Sequence, residues 1–353
     1  MRNYNRNAHL NSMPTIKRGS ILYRIILLFL INIFGIVFIR GQSANVSLYT
    51  NPVIRRSLPD PTVIKARNGY YYLYATEEIR NIPIYKSQNL VDWQFVGTVF
   101  SNENHPNFLK DGQLWAPDIN YINNKYVLYY SLSKWGEHLD CGIGVAVSDD
   151  PEGPFIDKGK IFTGREIGVR NSIDEFFYSE KGKNYLFWGS FDGIYGIELS
   201  EDGLSVKSGA SKMQIAGSFI EATAIEKHKG YYYLFGSKEN CCEGANSKYH
   251  IIYGRSKNLF GPYVTKDGKS LIDNHYEILL HGNDSVAGPG HQSRLIKDDK
   301  GQDWIIYHGY LKTSPQIGRV LFLDRLIWDN HWPYVERNEP SMMSEKPYFR
   351  KKK

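Results

Sequence analysis

The first 44 residues contain no aspartate or glutamate. Arg2, Arg6, Lys17, Arg18 and Arg24 precede an apolar stretch from Ile25 to Ile39, broken only by Asn32 and Gly35, and Gly41-Gln42-Ser43-Ala44 follow. A basic region, an apolar region and a small-residue zone, in that order, form a secretory signal. The apolar run is shorter than the roughly 20 residues a membrane span needs. Residues 1–44 therefore read as a cleaved signal, with an uncleaved N-terminal anchor as the alternative. Either exports the remainder to a periplasmic or extracellular location. No cysteine follows the run before Cys141, so a lipid anchor has no attachment site.

Cysteine is scarce throughout, with three in 353 residues, and Cys241 and Cys242 are adjacent. Their odd number and adjacency give no disulfide framework. One bridge from Cys141 to either neighbour, or three unpaired thiols, both remain open. No zinc-type Cys/His spacing occurs. The net charge of +6 is also deceptive, because six basic residues belong to the leader and four to the tail Arg350–Lys353, leaving the domain at −4. That removes the electrostatic footprint of a nucleic-acid partner. No membrane contact beyond the N-terminal anchor is indicated, and a monomer is expected.

Long segments with helical periodicity are missing too. What is present is a series of short runs rich in Tyr, Val, Ile and Phe, separated by Gly, Asn-Gly and Pro. One pattern recurs five times: a polar residue, an apolar strand, a tight turn, and an aromatic second strand. The copies begin at Asp60, Asp118, Asp174, Glu221 and His291. Their second strands include Tyr70-Tyr71-Tyr72-Leu73-Tyr74 and Tyr231-Tyr232-Tyr233-Leu234-Phe235. The spacing of the copies suits four-stranded propeller blades. The expected fold is an all-β, five-bladed β-propeller over residues 45–349, with a basic tail at 350–353.

In a propeller the innermost strand of every blade lines the central channel, so equivalent strand starts converge at one end. Four carboxylates and one imidazole would meet there. Crowded, buried acids repel one another and raise at least one pKa. Two carboxylates facing across a cleft hydrolyse glycosidic bonds, one protonating the leaving oxygen and the other activating water. Clustered acids can alternatively bind a cation.

Five motifs in order carry a specific resemblance: Leu58-Pro59-Asp60-Pro61, Leu114-Trp115-Ala116-Pro117-Asp118, Ser172-Ile173-Asp174, Phe219-Ile220-Glu221-Ala222 and Gly288-Pro289-Gly290-His291. Over residues 48–335 the chain resembles glycoside hydrolase family 43, in its arabinanase-like branch. The resemblance implies an inverting hydrolase acting on arabinan-type plant polysaccharide, with Asp60 as general base and Glu221 as general acid. Asp174 would tune the pKa of the acid and orient it. An inverting pair should stand roughly 6.5–9.5 Å apart to admit the water. Trp115 is assigned to substrate contact, and Asp118 to substrate or structural contacts rather than chemistry. The chemistry requires no cofactor, while His291 matches a histidine that helps hold a hydrated structural calcium in the channel. Cys241-Cys242-Glu243-Gly244 resembles a site-wall segment of the same branch.

Two positions depart from the family pattern. Glu175 follows Asp174, and Thr223 follows Ala222, where proline is common. Glu175 would add a charge beside the acids. Exo-acting α-L-arabinofuranosidase, β-xylosidase and galactofuranosidase activities remain alternatives, as does a non-catalytic carbohydrate-binding propeller. A fructan-cleaving propeller does not match, because Leu58-Pro59-Asp60-Pro61-Thr62 lacks the Asn-Asp-Pro-Asn-Gly type of segment. Loops at 133–140 and 245–247 would set the shape of the channel mouth.

Overall fold

The computed structural model describes residues 47–350. The leader expected over 1–44 and residues 351–353 of the tail lie outside the described residues.

Five antiparallel sheets follow one another along the chain as propeller blades, each built outward from the channel. Blade one consists of Thr62–Lys65, Tyr71–Tyr74, Pro83–Ser87 and Trp93–Thr98. Blade two runs through Gln113–Ile122, Lys125–Ser133, Gly142–Ser148 and Ile156–Thr163, and blade three through Phe176–Glu180, Lys183–Trp188, Ile194–Leu199 and Met213–Ala216. Blade four comprises Ile220–His228, Tyr231–Lys238, His250–Ser256 and Glu277–Leu280. In blade five, Val286–Gly290 and Ile296–Lys297 both pair with Asp303–Leu311, followed by Val320–Asp329 and Trp332–Tyr334.

The aromatic second strands follow from this arrangement. Successive side chains of a strand point to opposite faces, and both faces of a blade are covered by neighbouring blades. Tyr72 and Tyr74 pack with Leu128 and Tyr130 of blade two, whereas Tyr71 and Leu73 pack with Trp304 and Ile306 of blade five. Alternation of polar and apolar residues therefore disappears, as in any strand buried on both sides. The core is a set of layers between blades.

The ring closes through its ends. Leu48–Thr50 pairs with Met343–Glu345, and Val53 N–H donates to Leu321 O at 2.9 Å in blade five. The buried Asn51 carboxamide locks the junction, donating to Leu323 O at 2.8 Å and accepting from Leu323 N–H at 3.0 Å. These bonds hold blade one beside blade five, and so hold Asp60 beside the residues that control it.

Register corrects the phase of the repeat. Thr62, Asp118, Phe176 and Ala224 stand opposite Tyr74, Tyr129, Phe187 and Phe235, and Ser293 N–H meets Ile306 O. Two residues before each lies a left-handed residue: Asp60 (φ 54°), Ala116 (φ 42°), Asp174 (φ 60°), Ala222 (φ 57°) and His291 (φ 48°). Only Asp60, Asp174 and His291 are thus strictly equivalent. Glu221 precedes the common position by one residue, and Asp118 follows it by two. Residue type had aligned the acids in the sequence, whereas the ladders are interrupted between Trp115 and Asp118 and between Glu221 and Ala224. A left-handed residue is uncommon outside glycine, and its recurrence at the channel mouth turns the reactive side chains away from the regular pleat.

Candidate active site

Each left-handed residue has its backbone N–H captured by a side chain of the preceding blade. Ala116 N–H donates to Thr76 Oγ1 (2.8 Å), Asp174 N–H to Ser131 Oγ (2.9 Å), His291 N–H to Ser237 Oγ (2.9 Å) and Asp60 N–H to His308 Nδ1 (3.0 Å). In the remaining blade, Ala222 N–H donates to the Asp174 carboxylate at 3.1 Å. Hydroxyls at the ends of second strands then donate to the acids: Thr76 to Asp60 Oδ2, Ser131 to Glu175 Oε2 and Ser190 to Glu221 Oε2, each at 2.6 Å. The same contacts that stitch blades together therefore aim the carboxylates.

A cavity of about 700 Å³ opens over this ring, and Asp60, Asp174, Glu221, His291 and Arg319 all line it. Asp60 receives Arg319 Nη1 at 3.1 Å, and its Oδ1 lies 3.1 Å from His291 Nδ1. Burial alone would raise its pKa, but Arg319 and His291 hold it well below the usual carboxylate range. Asp60 is ionised. His308 accepts from the Asp60 backbone through Nδ1, so its proton sits on Nε2; burial, aided by Arg319, keeps it neutral. Burial also opposes charge on His291, yet Asp60, Asp174 and Glu221 together raise its pKa.

Glu221 is in the opposite condition. Burial raises its pKa, against the lowering effects of hydrogen bonds from Ser190 and from Tyr249 Oη, which lies 2.6 Å from Oε1. Asp174 is raised as well, by burial and by Glu221 and Asp60, with His291 opposing. Three acids in one cavity thus divide into one held ionised and a pair that retains a proton, which belongs to the pair rather than to one member.

The walls are aromatic. Trp115 and the exposed Trp135 lie with ring centres 5.5 Å apart, and Phe191 and Phe219 meet edge to face at 6.3 Å. Aromatic faces of this kind stack on sugar rings.

The profile of glycosyl hydrolases family 43 matches residues 49–333. The chain belongs to that family. The extracellular endo-α-(1→5)-L-arabinanase 1 of Bacillus subtilis is 34% identical over 315 residues, covering 85% of this chain and 93% of that protein. The extracellular exo-α-(1→5)-L-arabinofuranosidase ArbA of Cellvibrio japonicus is 30% identical, covering 79% and 86%. The Cellvibrio cellulosa α-L-arabinanase solved with arabinohexaose superposes with a TM-score of 0.72 at 29% identity, covering 80% of this chain and 96% of its own. This family 43 protein is a glycoside hydrolase with a five-bladed propeller fold.

The remaining sequence-derived site residues divide. Trp115 lines the hydrolase cavity, and the loop expected at its mouth contributes Trp135. Asp118 does not line the cavity. It lies buried, accepts Phe177 N–H at 2.7 Å and pairs with Arg294 at 3.1 Å, joining blade two to blade five across the channel. It acts as a channel tie, because its position two residues beyond the left-handed turn carries it inward. Arg319, His308, Thr76 and Ser190 belonged to no motif. The cysteines also differ from both expectations: Cys241 and Cys242 bond to each other, and Cys141 is buried and free.

For calcium the donor set fits only an ion that keeps its water. Among the described residues no group of three or more His, Cys, Asp or Glu side chains could hold a metal directly, whereas calcium takes six to eight oxygens. His291 directs Nδ1 at Asp60. Its neighbour Gln292 is buried with no protein partner for Oε1 or Nε2, which suits contact through water.

Glu175 brings a proton rather than the expected charge. Burial raises its pKa well above the usual range, and one oxygen accepts from Ser131, fixing that hydroxyl as acceptor for Asp174 N–H. A raised folded-state pKa means stability present below the ordinary carboxyl pKa and lost as pH rises through the raised value. Glu175→Gln keeps the acceptor without the ionisation. Its melting temperature should fall less with rising pH than that of the wild type, with kcat retained. Glu175→Ala should cost about 1–3 kcal/mol in denaturant unfolding, because Ser131 loses its partner.

Proposed function

We propose that this hydrolase cleaves α-1,5-linked L-arabinofuranosyl bonds within arabinan, with inversion at the anomeric carbon. The observation that carries the chemistry is the opposite displacement of two acids in one cavity, Asp60 downward and Glu221 upward. Such a division assigns base and acid. Asp60 takes a proton from the attacking water. Glu221 gives its proton to the departing sugar oxygen. Asp174 fixes the backbone immediately after Glu221 through Ala222 N–H, and the repulsion between the two carboxylates keeps a proton on the pair for the acid to deliver. Arg319 and His291 hold Asp60 ionised until attack. Acid, base and water complete the reaction without a cofactor. A hydrated calcium would be met by His291 and Gln292 and would supply positive charge at the channel mouth.

The arabinan assignment rests on the relatives, which are named for α-(1→5)-L-arabinan chemistry. Endo action is supported by the Bacillus subtilis relative. Export is supported by the extracellular relatives and by the signal-like segment 1–44. A monomer suffices, since one chain furnishes the whole cavity.

Product analysis on linear 1,5-arabinan tests this reading. A ladder of oligosaccharides before monosaccharide is expected. A single small product from the start would mean exo action, the mode named for the Cellvibrio japonicus relative. No release from linear or debranched arabinan would sink the substrate assignment.

A further inference from the structure

The end of the propeller opposite the cavity carries an arrangement that hydrolysis does not use. In the first hairpin of blade four, Glu221 pairs with Ser237 at the cavity end, and His228 pairs with Tyr231 at the other. The length of strand between Glu221 and His228 is roughly 20 Å. Around Tyr231, cations and aromatic rings from two blades meet. Lys257 Nζ lies 3.5 Å from the centre of the Tyr231 ring and Arg255 Cζ lies 4.3 Å from it. Arg255 Cζ is also 3.8 Å from the Trp332 ring of blade five, which Lys266 Nζ approaches at 5.8 Å. Lys229, exposed in the hairpin turn, precedes Tyr231 by two residues.

Joining the two blades does not account for so much charge. One cation over each ring would make that joint. Two over Tyr231 bring like charges within about 8 Å of each other, and such charges repel unless an anion lies beside them. Lys266 has its anion, with Glu277 Oε2 at 3.8 Å. Among the described residues, Lys229, Arg255 and Lys257 pair with no carboxylate. Arg255 Nη1 donates instead to the His331 carbonyl, at 3.4 Å. Lys257 and Arg255 also hold the Tyr231 hydroxyl below its ordinary pKa. All this stands on a domain whose net charge is −4, so the positive charge is a local concentration.

The geometry selects the anion. A guanidinium whose face lies against aromatic rings offers its N–H edge, and that edge matches a planar carboxylate. Lys257 and Lys229 beside it supply point charges for further carboxylates along a chain. The ring faces are already taken by cations, which leaves none for a stacking base, and the negative domain repels nucleic acid and anionic bilayers at long range. We infer that this end of the propeller binds a polyuronate, a polysaccharide with a carboxylate on successive sugars, through Arg255, Lys257 and Lys229. The site is separate from the cavity and does not depend on the arabinan reading. Bound here, an acidic stretch keeps the hydrolase on a mixed polysaccharide while the cavity takes its neutral chains, a gain in effective concentration.

Affinity electrophoresis of the full chain in gels containing sodium polygalacturonate, with neutral dextran as control, tests the site. Retardation is expected with polygalacturonate and not with dextran, and it should weaken as salt rises. The Arg255→Gln/Lys257→Gln variant should bind polygalacturonate about 10-fold more weakly. Its kcat on soluble linear arabinan should stay within about twofold of the wild type, which also reports that it is folded. Absence of retardation, or equal retardation of wild type and variant, would overturn the inference. So would equally tight binding to phosphatidylglycerol vesicles or duplex DNA, because that describes a general anion surface. If the double variant does not fold, Lys229→Gln/Lys257→Gln leaves the Arg255 joint intact and should weaken binding about threefold; unchanged binding rejects the site. A chain that binds polygalacturonate and cuts no arabinan would sink the substrate assignment alone, and the converse would sink this inference alone.

Discussion

Asp60→Asn is expected to lower kcat on linear arabinan by about 10³- to 10⁴-fold, the share that positioned proton transfer supplies. The amide keeps a group of the same shape against Thr76 and Arg319 but cannot accept the proton of water. Loss of the carboxylate also removes the main influence that raises the His291 pKa. The His291 titration, followed by NMR in the folded variant, should therefore move to lower pH. Both readouts are required. A variant that retains full activity would remove Asp60 from chemistry, and an unmoved His291 would show that its charge has another source.

Glu221→Gln should reduce kcat on arabinan by about 10²- to 10³-fold and leave a substrate with an activated leaving group much less affected, because such a group departs without protonation. The pH profile distinguishes this from a general loss of shape. As the proposed acid, Glu221 acts while protonated and its pKa is raised, so wild-type activity should be present below that raised value and disappear as pH rises through it. As the proposed base, Asp60 acts while ionised and its pKa is depressed, so activity should be present above the depressed value and disappear only as pH falls through it. The wild-type optimum is therefore broad towards acid. On an activated substrate the Gln variant should keep the acid limb and lose the alkaline one. An unchanged alkaline limb would transfer the proton donor's role to another group, with Asp174 the nearest candidate by its own raised pKa.

The propeller was legible because its constraint is periodic. Strands buried on both faces demand aromatic runs such as Tyr71–Tyr74, and repetition of the same run five times leaves few architectures. Asp60, Asp174, Glu221 and Trp115 were legible as well, each within a short motif at a strand start. The controls on those residues were not. Arg319 and His308 lie 259 and 248 positions from Asp60, and they reach it only because blade five closes against blade one. No local spacing encodes such a meeting. Glu175 was misjudged for a related reason: as a letter it carries charge, and only its burial against Ser131 makes the neutral form the stable one.

Asp118 and the cysteines mark the same boundary. An acid at a strand start looked equivalent to the others until strand register placed it two residues past the turn, inside the channel with Arg294. Two adjacent cysteines left pairing open until the chain around them was folded. By itself, the sequence determined the number of blades, the aromatic layers between them and three acids that line the cavity, since periodicity and residue chemistry are properties of short segments. Only the tertiary structure decided which acid is ionised, which pair shares a proton and which acid leaves the cavity altogether, because burial and the approach of distant charges exist only once the ring has closed.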